Sequence, residues 1–134
     1  MSAAFVGWFC TYTPVEILEA AGLVSYGIRH DSGEAHEDVL LGDAACSFVR
    51  GCIGGKLKGI YDDLEGVVIA HSCECMRRLY DGWIHERGAS DGQWVHLLDV
   101  PRKCDARSEA WFASSLARLR EFVAARYGAL EDGD

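Results

Sequence analysis

The sequence is short of several things, and each shortage closes off a class of function. No stretch of its 134 residues reaches the ~18 uninterrupted apolar residues of a membrane-spanning helix. Residues 1–7 offer neither a basic lead nor a long apolar run, so no secretory signal is expected and a cytoplasmic location is. Positive charge is scarce: 13 Lys and Arg stand against 21 Asp and Glu, a formal net charge of −8. A chain this acidic has no broad attraction for nucleic acid or anionic lipid. There is no Gly-x-Gly-x-x-Gly dinucleotide fingerprint and no Walker A loop. Cys-x-x-Cys pairs and ferredoxin-type cysteine runs are missing, as are internal repeats and low-complexity segments.

What remains is an ordinary globular composition, 49% hydrophobic and 25% charged. The length suits one domain, which can bury a core without disulfide staples. The exception is cysteine, at six residues. Without signs of export, disulfides are not the expected use. In a reducing compartment such enrichment points to metal, cluster or redox chemistry, or to thiols packed as small hydrophobes.

Strand and helix signals alternate along the chain. Residues 4–9 read as a short strand. Thr13-Pro14-Val15-Glu16 reads as a helix start, with Thr13 as N-cap, Pro14 in the first helical position and Glu16 completing a capping box. Gly22 ends that helix, and 23–28 read as a second strand. Residues 30–43 read as a polar surface loop. Over 45–60 the positions Val49, Cys52, Ile53, Leu57 and Ile60 recur at helical spacing. Gly51, Gly54 and Gly55 either weaken that helix or let another backbone approach it. Residues 66–70 form a continuous apolar run, as in a buried parallel strand.

A helix follows with Met76, Leu79, Tyr80 and Trp83 on one side. Then come a strand at 94–100, ended by Pro101, and a helix at 108–127 with Phe112, Leu116, Leu119, Val123 and Tyr127 in one stripe. The tail 131–134 is acidic and expected to fray. Trp8, Trp83, Trp94 and Trp111 are expected in the core. The βαβαβαβα order predicts a Rossmann-like, doubly wound α/β fold: a mainly parallel four-stranded sheet with helices on both faces.

Such folds bind ligands beyond the carboxyl ends of their strands. Cysteines gather in those places. Cys10 follows the first strand, Cys73 and Cys75 the third, Cys104 the fourth, and Cys46 opens the second helix. Helix N-termini carry unpaired N–H groups and partial positive charge, which favour the thiolate that binds metal. Cys52 lies on the apolar stripe and reads as core. Cys75 and Cys104 are not assigned a role. His71, directly after the third strand, is open between a substrate contact, a metal contact and a hydrogen-bonded pocket residue. A zinc site of His71, Cys73 and Cys75 is disfavoured by its tight spacing. Arg77 and Arg78 either meet a ligand phosphate or occupy the solvated face of a helix.

Several blocks carry a family resemblance. They are Gly7-Trp8-Phe9-Cys10-Thr11-Tyr12-Thr13-Pro14-Val15-Glu16, Ala20-Ala21-Gly22-Leu23, Ala45-Cys46-Ser47-Phe48-Val49-Arg50, Tyr61-Asp62, the run from Gly66 to Asp81 with its His71-Ser72-Cys73-Glu74-Cys75 centre, and Leu97-Leu98-Asp99-Val100-Pro101-Arg102-Lys103. In this order they resemble the 2-hydroxyacyl-CoA dehydratase family, which includes the 2-hydroxyglutaryl-CoA dehydratase D-component and benzoyl-CoA reductase subunits. The resemblance covers nearly the whole chain.

The resemblance implies the amino-terminal member of a pair of Rossmann-like domains holding a 4Fe–4S cluster, or a double-cubane cluster in one branch. Dehydratase members remove water from (R)-2-hydroxyacyl-CoA through a ketyl radical, with the electron supplied by an ATP-dependent activator protein. By position, Cys10 and Cys46 match the two cluster ligands of the first domain, and a third comes from the second. Cys73 matches the cysteine of an Asn-Ser-Cys-Asp motif, where this chain has His71 for Asn and Glu74 for Asp. Residues 1–130 are thus expected to form a cluster-binding domain, 131–134 a tail, and the second family domain to be absent. The expected partners are a second dehydratase subunit or a second-domain chain, the activator, and an acyl-CoA. Activity alone is not expected. The alternative is a non-catalytic α/β cluster scaffold or interaction module.

Overall fold

The computed structural model describes residues 4–29, 46–85, 92–128 and 130. The expected loop at 30–43 and tail at 131–134 lie outside the described residues. The elements run β1 (Phe5–Phe9), α1 (Val15–Ala20), β2 (Val24–Gly27), α2 (Ser47–Leu57), β3 (Gly66–His71), α3 (Glu74–His85), β4 (Trp94–Asp99) and α4 (Ala106–Tyr127). The sheet is parallel throughout, in the order β2-β1-β3-β4. The predicted α/β architecture is therefore present.

The strand order fixes where the helices lie. From β1 the chain winds outward to β2, then crosses back over β1 to β3 and β4. Helices α1 and α4 share one face, over Val6, Leu18, Val68, Leu98, Leu119 and Val123. Helices α2 and α3 cover the other, over Phe9, Ile53, Val67, Ile69, Leu79 and Trp83. The central strand β3 meets both layers, so Val67 through Ala70 are fully buried. That explains an apolar run without alternation.

Helix ends follow local chemistry. Gly22, at φ +79°, closes α1. Its N–H bonds the Glu19 carbonyl and the Leu23 N–H bonds that of Leu18, a Schellman motif. Gly59 closes α2 the same way, with Gly59 N–H on Lys56 and Ile60 N–H on Gly55. This corrects the longer helix expected at 45–60. Leu57 is the last residue of the helix and Ile60 lies beyond it, and at 45% and 51% exposed neither joins the buried stripe. Gly55 does serve a close approach, but of a side chain. A Cβ there would stand 2.8 Å from the Tyr61 ring.

Three further expectations are corrected. Thr13 does not cap α1: its hydroxyl donates to the Phe9 carbonyl at 2.9 Å, Pro14 takes the cap position, and no side chain caps the end. The last helix starts two residues early, because the Asp105 carboxylate accepts from the Ser108 N–H at 2.7 Å. That bond also holds the exposed Asp105 carboxyl below the usual aspartate range. Trp111 is 45% exposed rather than core, while Trp83 and Trp94 are buried and Trp8 is half-buried.

A polar hub locks the amino ends of the strands. Gln93 Oε1 accepts from Trp83 Nε1 at 2.9 Å and from Lys56 Nζ at 3.3 Å. Its Nε2 donates to the Tyr61 and Leu64 carbonyls. Trp83 also packs edge-on against Phe9 and stacks on Tyr61. Across the sheet, Trp94 Nε1 donates to Tyr127 Oη, which in turn donates to Glu65.

Candidate functional site

The winding reverses between β1 and β3, so their carboxyl ends stand at the topological switch point, where folds of this kind bind ligands. Cys10 is the first residue past β1. It is the one non-glycine residue with positive φ, +74°, among those described. L-residues enter this region at a cost that the surroundings must offset. Here Thr13 does so twice: its hydroxyl holds the Phe9 carbonyl and its N–H bonds that of Cys10, at 3.2 Å. Thr13 is thus a brace for the Cys10 turn, not a helix cap. Cys10 is half-buried.

Cys46 takes the N-cap position of α2 with extended backbone, and its side chain makes no capping bond. Because α2 runs antiparallel to the strands, this end lies on the side of the strand carboxyl termini. Cys46 is exposed and Cys52, one and a half turns on, is buried. Burial first, and the nearby Cys46 second, push the Cys52 thiol up to about 12. Cys52 is therefore an inert core thiol, as its place on the stripe suggested.

His71 ends β3, and Ser72 and Cys73 lead into α3, which Glu74 begins. His71 and Asp99 are partners on the last rung of the β3–β4 ladder. Its Nδ1 stands 3.9 Å from Asp99 Oδ1 and its Nε2 3.9 Å from Glu74 Oε1. Both distances exceed hydrogen-bond reach. Nε2 is buried and has no hydrogen-bond partner among the described residues. So His71 is a rim residue between two carboxylates, with no hydrogen bond to either. Cys73 and Cys104 are exposed, and Cys75 half-buried beside the α2–α3 core.

The arginine pair lies on the exposed side of α3. Arg77 pairs with Asp81 at 3.5 Å and lies over the Tyr80 ring, and Arg78 is exposed. Cys10, Cys73 and Cys104 follow the carboxyl ends of β1, β3 and β4, and the described residues do not assemble a complete metal site. Among them, no three His, Cys, Asp or Glu side chains come close enough to hold an ion. No helix among them is long and apolar enough to cross a membrane. Sequence reasoning missed the Asp99 partnership of His71, which only strand register reveals. It also missed an open hollow of about 460 Å³ at the end of β2, lined by Trp8 and residues 25–29.

A benzoyl-CoA reductase subunit of Thauera aromatica is 28% identical over 126 residues, which is 90% of this chain but 31% of that protein. The chain thus spans about a third of that relative's length. A family model for the 2-hydroxyglutaryl-CoA dehydratase D-component matches residues 10–130, from Cys10 at the switch point to Leu130 beyond α4. The chain belongs to the 2-hydroxyglutaryl-CoA dehydratase D-component family.

Proposed function

We propose that this chain is a subunit or half-subunit of an iron–sulfur 2-hydroxyacyl-CoA dehydratase, or of a related acyl-CoA reductase, and works only with partner chains. The observation that carries the reading is the braced, left-handed Cys10 at the switch point. A backbone held in that region suits a thiol that must be presented rather than packed.

The donor set fits an iron–sulfur cluster in part. Cys10 and Cys46 are free thiols that are not buried, and Cys46 adjoins the unpaired N–H groups opening α2. These two would hold iron, with Cys73 and His71 lining the same rim. Clusters of this type take about four thiolate ligands, so the remainder would come from a second dehydratase subunit or a second-domain chain. When bound, the cluster supplies Lewis acidity and a path for one electron. The chain's own part is to fix the thiols and to set dipoles around them. Residues 1–130 act in this reading as one cluster-binding domain of a cytoplasmic enzyme, with an ATP-dependent activator and an acyl-CoA as further partners.

The test is anaerobic co-expression with a candidate partner, followed by iron and sulfide analysis. The expected product is brown, and Cys10→Ser or Cys46→Ser lose iron while circular dichroism keeps the helical signal. A colourless, iron-free complex after anaerobic reconstitution overturns the reading.

One observation favours a second reading, a non-catalytic scaffold or interaction module: the described residues hold no complete ligand set. Size exclusion separates the two. A cluster-free monomer that ignores candidate partners fits the module; an obligate hetero-oligomer fits the split enzyme.

A further inference from the structure

The hollow at the end of β2 has a chemistry of its own. Its lining is Trp8, Ser25, Tyr26, Gly27, Ile28 and Arg29. Strand β2 is an edge strand. Its Val24 N–H bonds the Ala4 carbonyl, and the Ile28 N–H bonds that of Trp8. Even-numbered residues therefore turn their backbone groups toward β1. Ser25 and Gly27 turn theirs outward, with no backbone partner among the described residues.

Beside that edge lies an aromatic floor. The six-membered ring of Trp8 leans over Gly27, where a Cβ would stand 2.9 Å from its Cζ2. The indole is half-buried, so part of it stays open. Tyr26, 48% exposed, pairs with Gly7 in the register and so turns its ring to the other face of the sheet, leaving Trp8 as the floor. At the rim stands Arg29, exposed and in no ion pair with a carboxylate of the described residues. In a chain of net charge −8, such a local cation is what an anion needs in order to approach.

A flat ring to stack, adjacent donors and acceptors at strand spacing, and a cation at the rim together describe one ligand class. We infer that this hollow binds an adenosine phosphate, the purine lying against Trp8, its amino group and ring nitrogen meeting the outward Ser25–Gly27 backbone, and its phosphate on Arg29. Aromatic stacking of bases and Arg–phosphate forks are the usual means of such recognition. Under the acyl-CoA reading above, on which this assignment rests, the ligand is the nucleotide end of coenzyme A. A free adenine nucleotide carries the same chemistry.

The test needs no cluster, so it fails or succeeds apart from the iron experiment. The iron-free full chain is titrated with coenzyme A, adenosine 3′,5′-bisphosphate, AMP and pantetheine, and followed by amide NMR. Saturable shifts are expected at the Ser25, Gly27 and Arg29 amides and the Trp8 indole N–H with the three adenosine ligands, and none with pantetheine. Arg29→Gln, a surface change, should weaken binding about tenfold, the loss of one charged hydrogen-bonded contact, and Arg29→Lys should restore part of it. Gly27→Ala should push the indole into the hollow and block binding. Coenzyme A binding more tightly than AMP identifies the substrate's nucleotide end, whereas AMP binding as tightly identifies a free nucleotide in the same site. No shift at these amides up to millimolar ligand, or full affinity in Arg29→Gln, overturns the proposal.

Discussion

The indole N–H of Trp83 donates to Gln93 Oε1 at 2.9 Å, joining α3 to the residue that leads into β4. Gln93 also accepts from Lys56 and donates to two carbonyls, so one buried side chain makes four hydrogen bonds. Leucine at this position keeps much of the volume and satisfies none of them. Gln93→Leu should cost about 2–4 kcal/mol, read as a lower urea midpoint with unchanged slope.

Gly66 begins β3 opposite Trp94, and a Cβ there would collide with the Trp94 indole. The indole cannot retreat, because its Nε1 is bonded to Tyr127 and its ring packs on Phe122. Gly66→Ala should therefore destabilise by about 3 kcal/mol or more, toward the upper end of overpacking effects. Gly66→Ala combined with Trp94→Phe should recover part of the loss. Equal stability of Gly66→Ala and the parent protein would contradict the packing.

His96 lies on the α4 face beside Phe122, and burial lowers its affinity for a proton below the ordinary imidazole value. Asp99 works against that shift and Arg118 with it. The unfolded chain then takes up a proton first as the solution is acidified. Stability should be full above about pH 6.5 and should fall as pH drops toward the lowered folded value. His96→Leu should flatten this limb in urea unfolding measured from pH 8 to pH 5.

The six thiols should separate in native labelling at pH 8. Cys46, Cys73 and Cys104 are exposed and should react fast, with Cys10 and Cys75 slower. Cys52, buried and with its thiol pushed up to about 12, should label only after unfolding. Mass spectrometry of digested, alkylated protein reads this order directly.

Much of this was legible from residue order. Gly22 announced the end of α1, and the unbroken apolar run at β3 announced a strand covered on both faces. The cysteines stood where strands gave way to helices. Other features were hidden. Thr13 has the form of a helix cap, yet its hydroxyl turns back four residues to the Phe9 carbonyl. Asp105 capped α4 from outside the expected range, since the first two residues of that helix carry no apolar stripe. The pairing of His71 with Asp99 follows from register, which periodicity does not encode. The hollow beside Trp8 required knowing that β2 lies at an edge.

The Gln93 hub and the Trp94–Tyr127–Glu65 chain both fasten the side of the sheet where the strands begin. The opposite side carries the thiols, His71 and the Cys10 turn. A substitution among the thiols therefore leaves the fastening at the opposite pole untouched.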